Sequence, residues 1–218
     1  MTPPYKDTTA VRQAVIDACL SMAMKGLNHG SSGNVSVRVD DTMLITPSGI
    51  AYDQMRPEMV ATIKLQDGTA SGPHKPSTEW HFHRALYHAK PGVHAVVHAH
   101  PTHATAQAMT RKPIPACTYM IAAFGGDDVR VAEYALFGTP ALSDAVVAAM
   151  EGRQGCLMAN HGAVVTGESL PRALWRMEEL EALAKAYLLV GDAAHILSRA
   201  EIDETLAAFE DYGLKRLP

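Results

Sequence analysis

The chain has 218 residues, 47% of them hydrophobic and 19% charged, with a formal net charge of -4 at pH 7, enough apolar material for one full core and no apolar run long enough to span a bilayer. No cluster of Lys or Arg supplies the electrostatic footprint of a nucleic-acid partner, and the polar start MTPPYKDTTAVRQ lacks the apolar region of a secretory signal, so a soluble, cytoplasmic protein is expected. Cys19, Cys117 and Cys156 are odd in number and show no C-x-x-C pairing, which argues against a disulfide framework and against a thiolate zinc knuckle.

From Thr8 to Leu27, the residues Val11, Val15, Ala18, Cys19 and Met22 recur at spacings of three and four behind Asp7 or Thr8. This predicts an amphipathic helix stopped by Gly26 or Gly30. The alternation in NVSVRV (34–39), an Asp-Asp-Thr turn and MLIT (43–46) predict a hairpin, and MVATIKL (59–65) a third strand ending at Asp67-Gly68. The stretch DGTASGPHKPS leads to Thr78, placed to cap a helix over EWHFHRALYHA. VHAVVHAH is again a strand, followed by a short helix over PTHATAQAM whose first position suits proline. After the proline-rich RKPIPACTYM, a strand is expected at DVRVAEY, a helix from about Pro140 to Met150, and two strands around GCLMANHGAVVT. The last third is helical over Ser169 to Val190 and Ser198 to Phe209. No repeat or linker interrupts the chain. The pattern is mixed α and β with hairpins rather than alternating parallel units, in one domain over 1–218 with a C-terminal helical tail.

Eleven histidines are present, most of them in the segment from His74 to His103. His98 and His100 are separated by one residue, so on a strand both imidazoles project from one face and can chelate one ion. His161, in ANHGA at a strand-to-strand turn that Gly162 permits, offers a third neutral imidazole, and three histidines with one open position suit a catalytic zinc. An isolated H-x-H reads equally as one hydrogen-bonded core histidine beside a solvated one. His81, His83, His88, His94 and His103 read as surface or structural residues. Glu79, in the first turn of its helix, is the acid–base candidate, where a metal and the helix dipole would both tune its proton affinity; spacing alone makes it an ordinary N-terminal carboxylate. GSSGN (30–34), TPSG (46–49) and PSTE (76–79) can each aim backbone N–H groups and side-chain donors at an anion. Each by itself is a turn. Together with a metal they point to a phosphorylated small molecule.

GNVSVRV, MLITPSGI, PSTEWHFH, AVVHAH, YMIAAFGG, FGT and NHGA stand in the order and spacing of the class II (zinc-dependent) sugar-phosphate aldolases, which the chain resembles from its first helix to DYGLKR, the bacterial L-fuculose-1-phosphate aldolases in particular. The resemblance implies an α/β fold, a single three-layer αβα domain with a mainly antiparallel central sheet. It also implies a cyclic homotetramer with active sites at subunit interfaces and one Zn2+ per subunit, although three imidazoles would also accept Mn2+ or Co2+. His98, His100 and His161 would be the zinc ligands, and Glu79 the residue that leaves the metal and shuttles the proton. Ser31, Asn34, Ser48, Gly49, Ser77 and Thr78 would hold the substrate's phosphate. Thr78 stands where the family often has serine and Ser31 where it has threonine, and both keep the hydroxyl. Tyr119, a core aromatic by its own context, matches a tyrosine that reaches in from a neighbouring subunit to protonate the aldehyde oxygen. Phe137 matches a wall residue, and Phe209 and Tyr212 match a C-terminal tail.

The implied reaction is metal-dependent retro-aldol cleavage of a ketose 1-phosphate, of the L-fuculose, ribulose or methylthioribulose type, to dihydroxyacetone phosphate and an aldehyde. The same superfamily holds pentulose-phosphate 4-epimerases, which usually carry aspartate where this chain has Glu79, together with methylthioribulose-1-phosphate dehydratases and sugar-acid phosphate decarboxylases. It also holds the adducin head domain, an assembly module that has lost its ligands. The intact histidines, Glu79 and Tyr119 favour the aldolase.

Overall fold

Strand β5 (Ala95–Ala99) is buried along its whole length, because its valines and alanines have neighbours on both faces and both edges. One edge pairs antiparallel with β1 (Asn34–Val39) and the other with β10 (Gly162–Gly167). In this computed structural model, which describes residues 5–211, these three strands form the centre of an eight-stranded sheet. Beyond β1 come β2 (Thr42–Ile45), β3 (Ala61–Lys64) and β4 (Ala70–Ser71); beyond β10 come β9 (Gly155–Met158) and β8 (Val131–Ala132). The sheet is mixed: β8 runs parallel to β9, and the remaining neighbours are antiparallel. Two short strands, β6 (Ile114–Pro115) and β7 (Asp128–Val129), pair separately.

Alternation along each strand sends successive side chains into two cores. Val35, Val37, Ala95, Val97, Ala163 and Val165 meet α1 (Thr9–Met24), α3 (Thr102–Met109) and α5 (Leu170–Val190) through residues such as Ile16, Ala104 and Met177. Met43, Ile45, Val96, Met158 and Val164 meet α2 (Trp80–Ala89) and α4 (Pro140–Ala149) through Phe82, Leu86 and Val146. His98 shares the parity of Val96 and so lies on the α2 side, its ring edge-on to Phe82 at 5.4 Å. The last helix, α6 (Arg199–Asp211), packs on the 3-10 segment Tyr119–Phe124.

Most expected elements form, and the differences have local causes. The Thr8 side chain caps α1, accepting from the Val11 N–H at 3.2 Å, and Gly26 (φ 70°) follows the helix end. Thr78 does not cap α2. Glu79 occupies that position and makes no capping bond, because its carboxylate is turned toward the histidines. Pro101 is the residue before α3 rather than its first. DVRVAEY divides at Arg130, since Val129 pairs with Ile114 while Val131 pairs with Leu157. Strand β6 arises in the proline-rich RKPIPACTYM, where no strand was expected. All three cysteines are free thiols. Among the described residues, no helix is long and apolar enough to cross a membrane.

Phe82 is 1% exposed and wedges α2 against the His98 ring. Phe82→Ala is expected to cost about 3–5 kcal/mol through the cavity it leaves, read as a lowered denaturant midpoint with the far-UV spectrum retained.

Candidate metal centre and active site

His98 carries no exposed surface, and its Nδ1 lies 2.9 Å from the Ala163 carbonyl. A carbonyl can only accept, so Nδ1 carries the proton and the Nε2 lone pair points inward. His100 follows the end of β5 on the same side; its backbone N–H donates to Asn28 Oδ1 at 2.7 Å, which fixes where its ring begins. His161 enters from the β9–β10 turn. The left-handed residue of that turn is Asn160 (φ 54°), not Gly162. Gly162 is required for another reason: a Cβ there would lie 2.6 Å from the Ala99 carbonyl oxygen and 2.7 Å from the His100 ring. Gly33 is equally confined, since a Cβ would come within 2.6 Å of the His98 carbonyl oxygen.

The ligand nitrogens of His98, His100 and His161 all lie within 4.8 Å of one another, and the Nε2 atoms of His98 and His100 are 3.0 Å apart. Burial, reinforced by the neighbouring His98 and His161, pushes His100 down to about 4, so its ring is neutral at physiological pH. Imidazoles converging from separate backbone positions, one with its Nδ1 proton committed to a backbone carbonyl, fit a divalent cation.

Glu79 lies against this cluster, 7% exposed, with Oε1 at 3.2 Å from His161 Nε2 and Oε2 at 3.2 Å from His98 Nε2. Burial alone would push its carboxyl up. His98 and His161 outweigh that and hold it well below the usual carboxylate range. Asn34 Nδ2 donates to Glu79 Oε2 at 3.0 Å. The Asn34 carbonyl oxygen is in turn held by His83, a wholly buried residue whose Nδ1 lies 2.7 Å from Ser36 Oγ. Burial and the neighbouring His98 push His83 down to about 3.

A cavity of ≈460 Å³ opens over this floor. It gathers Ser31, Asn34, Ser48, Gly49, Ser77, Thr78, Glu79, His100, Phe137 and His161, all singled out from the sequence. Ser32, Gly33 and Pro47, which lie within the GSSGN and TPSG stretches, and Asn160, next to His161, also line it without having been singled out one by one. No Lys or Arg is among the lining residues described. Phe137 is exposed at the rim. Tyr119 and Phe209 are not brought to the cavity of their own chain; their rings meet each other at 6.3 Å, and Tyr119 is 57% exposed. Tyr212 lies outside the described residues. The supporting role of His83 was missed, although its place four residues after Glu79 puts both on one helix face.

A family model described as Class II Aldolase and Adducin N-terminal domain matches residues 13–188. An L-fuculose phosphate aldolase of Escherichia coli O6:H1 is 44% identical over 208 residues, 92% of this chain and 94% of that protein. A 5-methylthioribulose-1-phosphate/5-deoxyribulose-1-phosphate aldolase of Rhodospirillum rubrum is 43% identical over 206 residues, 94% of this chain and 93% of that protein. A solved structure of an L-fuculose 1-phosphate aldolase superimposes with a TM-score of 0.90 at 36% identity, covering 93% of this chain and 97% of that one.

The neutral, buried His83 makes stability depend on pH. Its folded value of about 3 lies below the ordinary 6.5, so its contribution is present above pH 6.5 and is lost as pH falls toward 3, at about 1.4 kcal/mol per unit. Compared by denaturant unfolding between pH 7 and 4, His83→Gln should be the less stable protein at pH 7 yet lose stability less steeply on acidification.

Proposed function

We propose that this chain, which belongs to the class II aldolase and adducin N-terminal domain family and is an aldolase lyase, cleaves a ketose 1-phosphate to dihydroxyacetone phosphate and an aldehyde. The related proteins act on L-fuculose phosphate and on 5-methylthioribulose or 5-deoxyribulose 1-phosphate by their names, and the substrate here is read as one of that group. The observation that carries the reading is the convergence of His98, His100 and His161, two of them against the Glu79 carboxylate, at the floor of a cavity otherwise lined by hydroxyls, two asparagines, Pro47, Phe137 and turn glycines.

The three histidines would hold a divalent cation, read as Zn2+. When bound, it supplies Lewis-acid stabilisation for charge developing on the ketose oxygens. Ser31, Ser48, Gly49, Ser77, Thr78 and the Asn34 amide would bind the phosphate, using hydroxyl and N–H donors rather than cations. In cleavage Glu79, ionised at rest, would take up the proton that the substrate hydroxyl gives up on becoming the aldehyde oxygen and hand it to the carbon freed by scission; in condensation it would remove that proton from the carbon. Its burial excludes bulk water, so the carbanionic carbon meets a proton at one position only.

Tyr119 is assigned to the site of a second copy, where its phenol would exchange a proton with the aldehyde oxygen, with Phe209 beside it and Phe137 on the wall. Its exposure, and its absence from the lining of its own cavity, support that reading. The subunit is then one of four in a cyclic homotetramer, a three-layer αβα unit with a mainly antiparallel sheet, working in the cytoplasm.

The first test is dihydroxyacetone phosphate release from L-fuculose, ribulose and methylthioribulose 1-phosphates, with and without chelator. Chelator-sensitive release is expected, and His98→Ala should lose both bound metal and at least about 100-fold in rate. Metal-loaded protein that releases nothing from any of them would favour an epimerase, dehydratase or decarboxylase instead. Tyr119→Phe should slow cleavage with the oligomer intact. Co-expressed with Glu79→Gln, it should regain about a quarter of wild-type activity, because a cyclic assembly of mixed subunits rebuilds that share of sites. No regain would place the tyrosine outside the site.

A further inference from the structure

Glu79, His83 and Tyr87 stand four residues apart and therefore share one face of α2 and the turn before it. Opposite them, Asn34 and Ser36 stand two apart on one face of β1. The two rows interlock. Tyr87 OH is 2.9 Å from Ser36 Oγ, Ser36 Oγ is 2.7 Å from His83 Nδ1, His83 Nε2 meets Asn34 Oδ1, and Asn34 Nδ2 donates to Glu79 Oε2 at 3.0 Å. All five side chains are buried, and His83 and Ser36 expose nothing.

The Asn34 amide sets the direction of every bond: its NH2 donates to Glu79 Oε2 and its carbonyl oxygen faces His83. His83 must then carry its proton on Nε2. A neutral imidazole has one ring proton, so Nδ1 accepts from the Ser36 hydroxyl, whose oxygen accepts from Tyr87. Without the His83 N–H, nothing opposes rotation of the Asn34 amide, and a rotated amide would aim its carbonyl at the carboxylate, acceptor against acceptor.

We propose that His83 is a positioning residue for the reaction: through Ser36 and Tyr87 it is locked in one tautomer, it fixes the Asn34 amide, and so it holds the Glu79 carboxylate in the orientation from which a substrate proton is moved. This rests on the reading of Glu79 as the proton-moving group.

The test uses metal-loaded protein with metal content measured, and follows exchange of a carbon-bound proton of dihydroxyacetone phosphate into deuterated solvent by NMR with no aldehyde present. That partial reaction reports proton movement without carbon–carbon cleavage. Glu79→Gln is the reference and should abolish exchange. His83→Phe, close in shape but without the N–H, should lower exchange and kcat by about 10- to 100-fold, with KM changed less than about threefold and metal retained. His83→Gln, which can present an amide N–H to Asn34, should recover most of the loss. Ser36→Ala, which removes the tautomer lock, should give a smaller loss, and it carries the comparison if His83→Phe does not fold. Wild-type exchange in His83→Phe, or in Ser36→Ala if that variant alone is folded, would overturn the proposal when Glu79→Gln has lost exchange. So would a folded His83→Gln as slow as His83→Phe. Full exchange in Glu79→Gln would instead overturn the reading of Glu79 itself.

Discussion

The register of β5 between β1 and β10 is the constraint on which the site depends. Asn34 and Val164 stand directly opposite His98 on its two sides, and the Ala163 carbonyl accepts a hydrogen bond from His98 Nδ1–H. A slip of one residue on either side would send His98 and His100 to the α1 face, away from Glu79. The buried apolar pattern on both faces of β5 makes such a slip costly. Burial that serves stability in the valines therefore also fixes the directions of the imidazoles.

The second feature is a concentration of buried polar groups that would be unfavourable singly. A carboxylate, several imidazoles, an amide and two hydroxyls sit where water is excluded, and the Asn34 amide, His83, Ser36 and Tyr87 each have a named partner of the right kind. Glu79 faces two imidazoles and an amide donor, so the desolvation that would protonate it is offset. The opposite wall of the cavity follows another rule. It has hydroxyls and turn backbone but no Lys or Arg among the described lining residues, so what it offers a ligand is hydrogen-bond donors rather than charge.

The third feature is the separation of two groups of residues within one chain. The hydroxyl-bearing turns, the histidines and Glu79 come together around the cavity, while exposed Tyr119 meets Phe209 away from it, on the 3-10 segment and α6.

Composition and spacing determined a good deal by themselves. H-x-H on a period-two strand puts two imidazoles on one face whatever surrounds it, and the serine- and glycine-containing turns can present donors in any fold, so the histidine cluster and the turns that line the cavity were legible. The helix and strand pattern was legible wherever a single period ran long enough, as in α1, α5 and the β1–β2 hairpin. Its failures came where tertiary contacts outweighed local preference: Glu79 forgoes capping because three distant side chains claim its carboxylate, and DVRVAEY divides because its halves find different partners. What only the tertiary structure decided was distance across the chain. That His83 closes on Asn34, that Gly162 is needed for the close approach of His100 rather than for its own torsion, and that Tyr119 stands apart from the cavity all depend on which elements pack together. Those contacts join residues separated by tens of positions, and no local period carries that information.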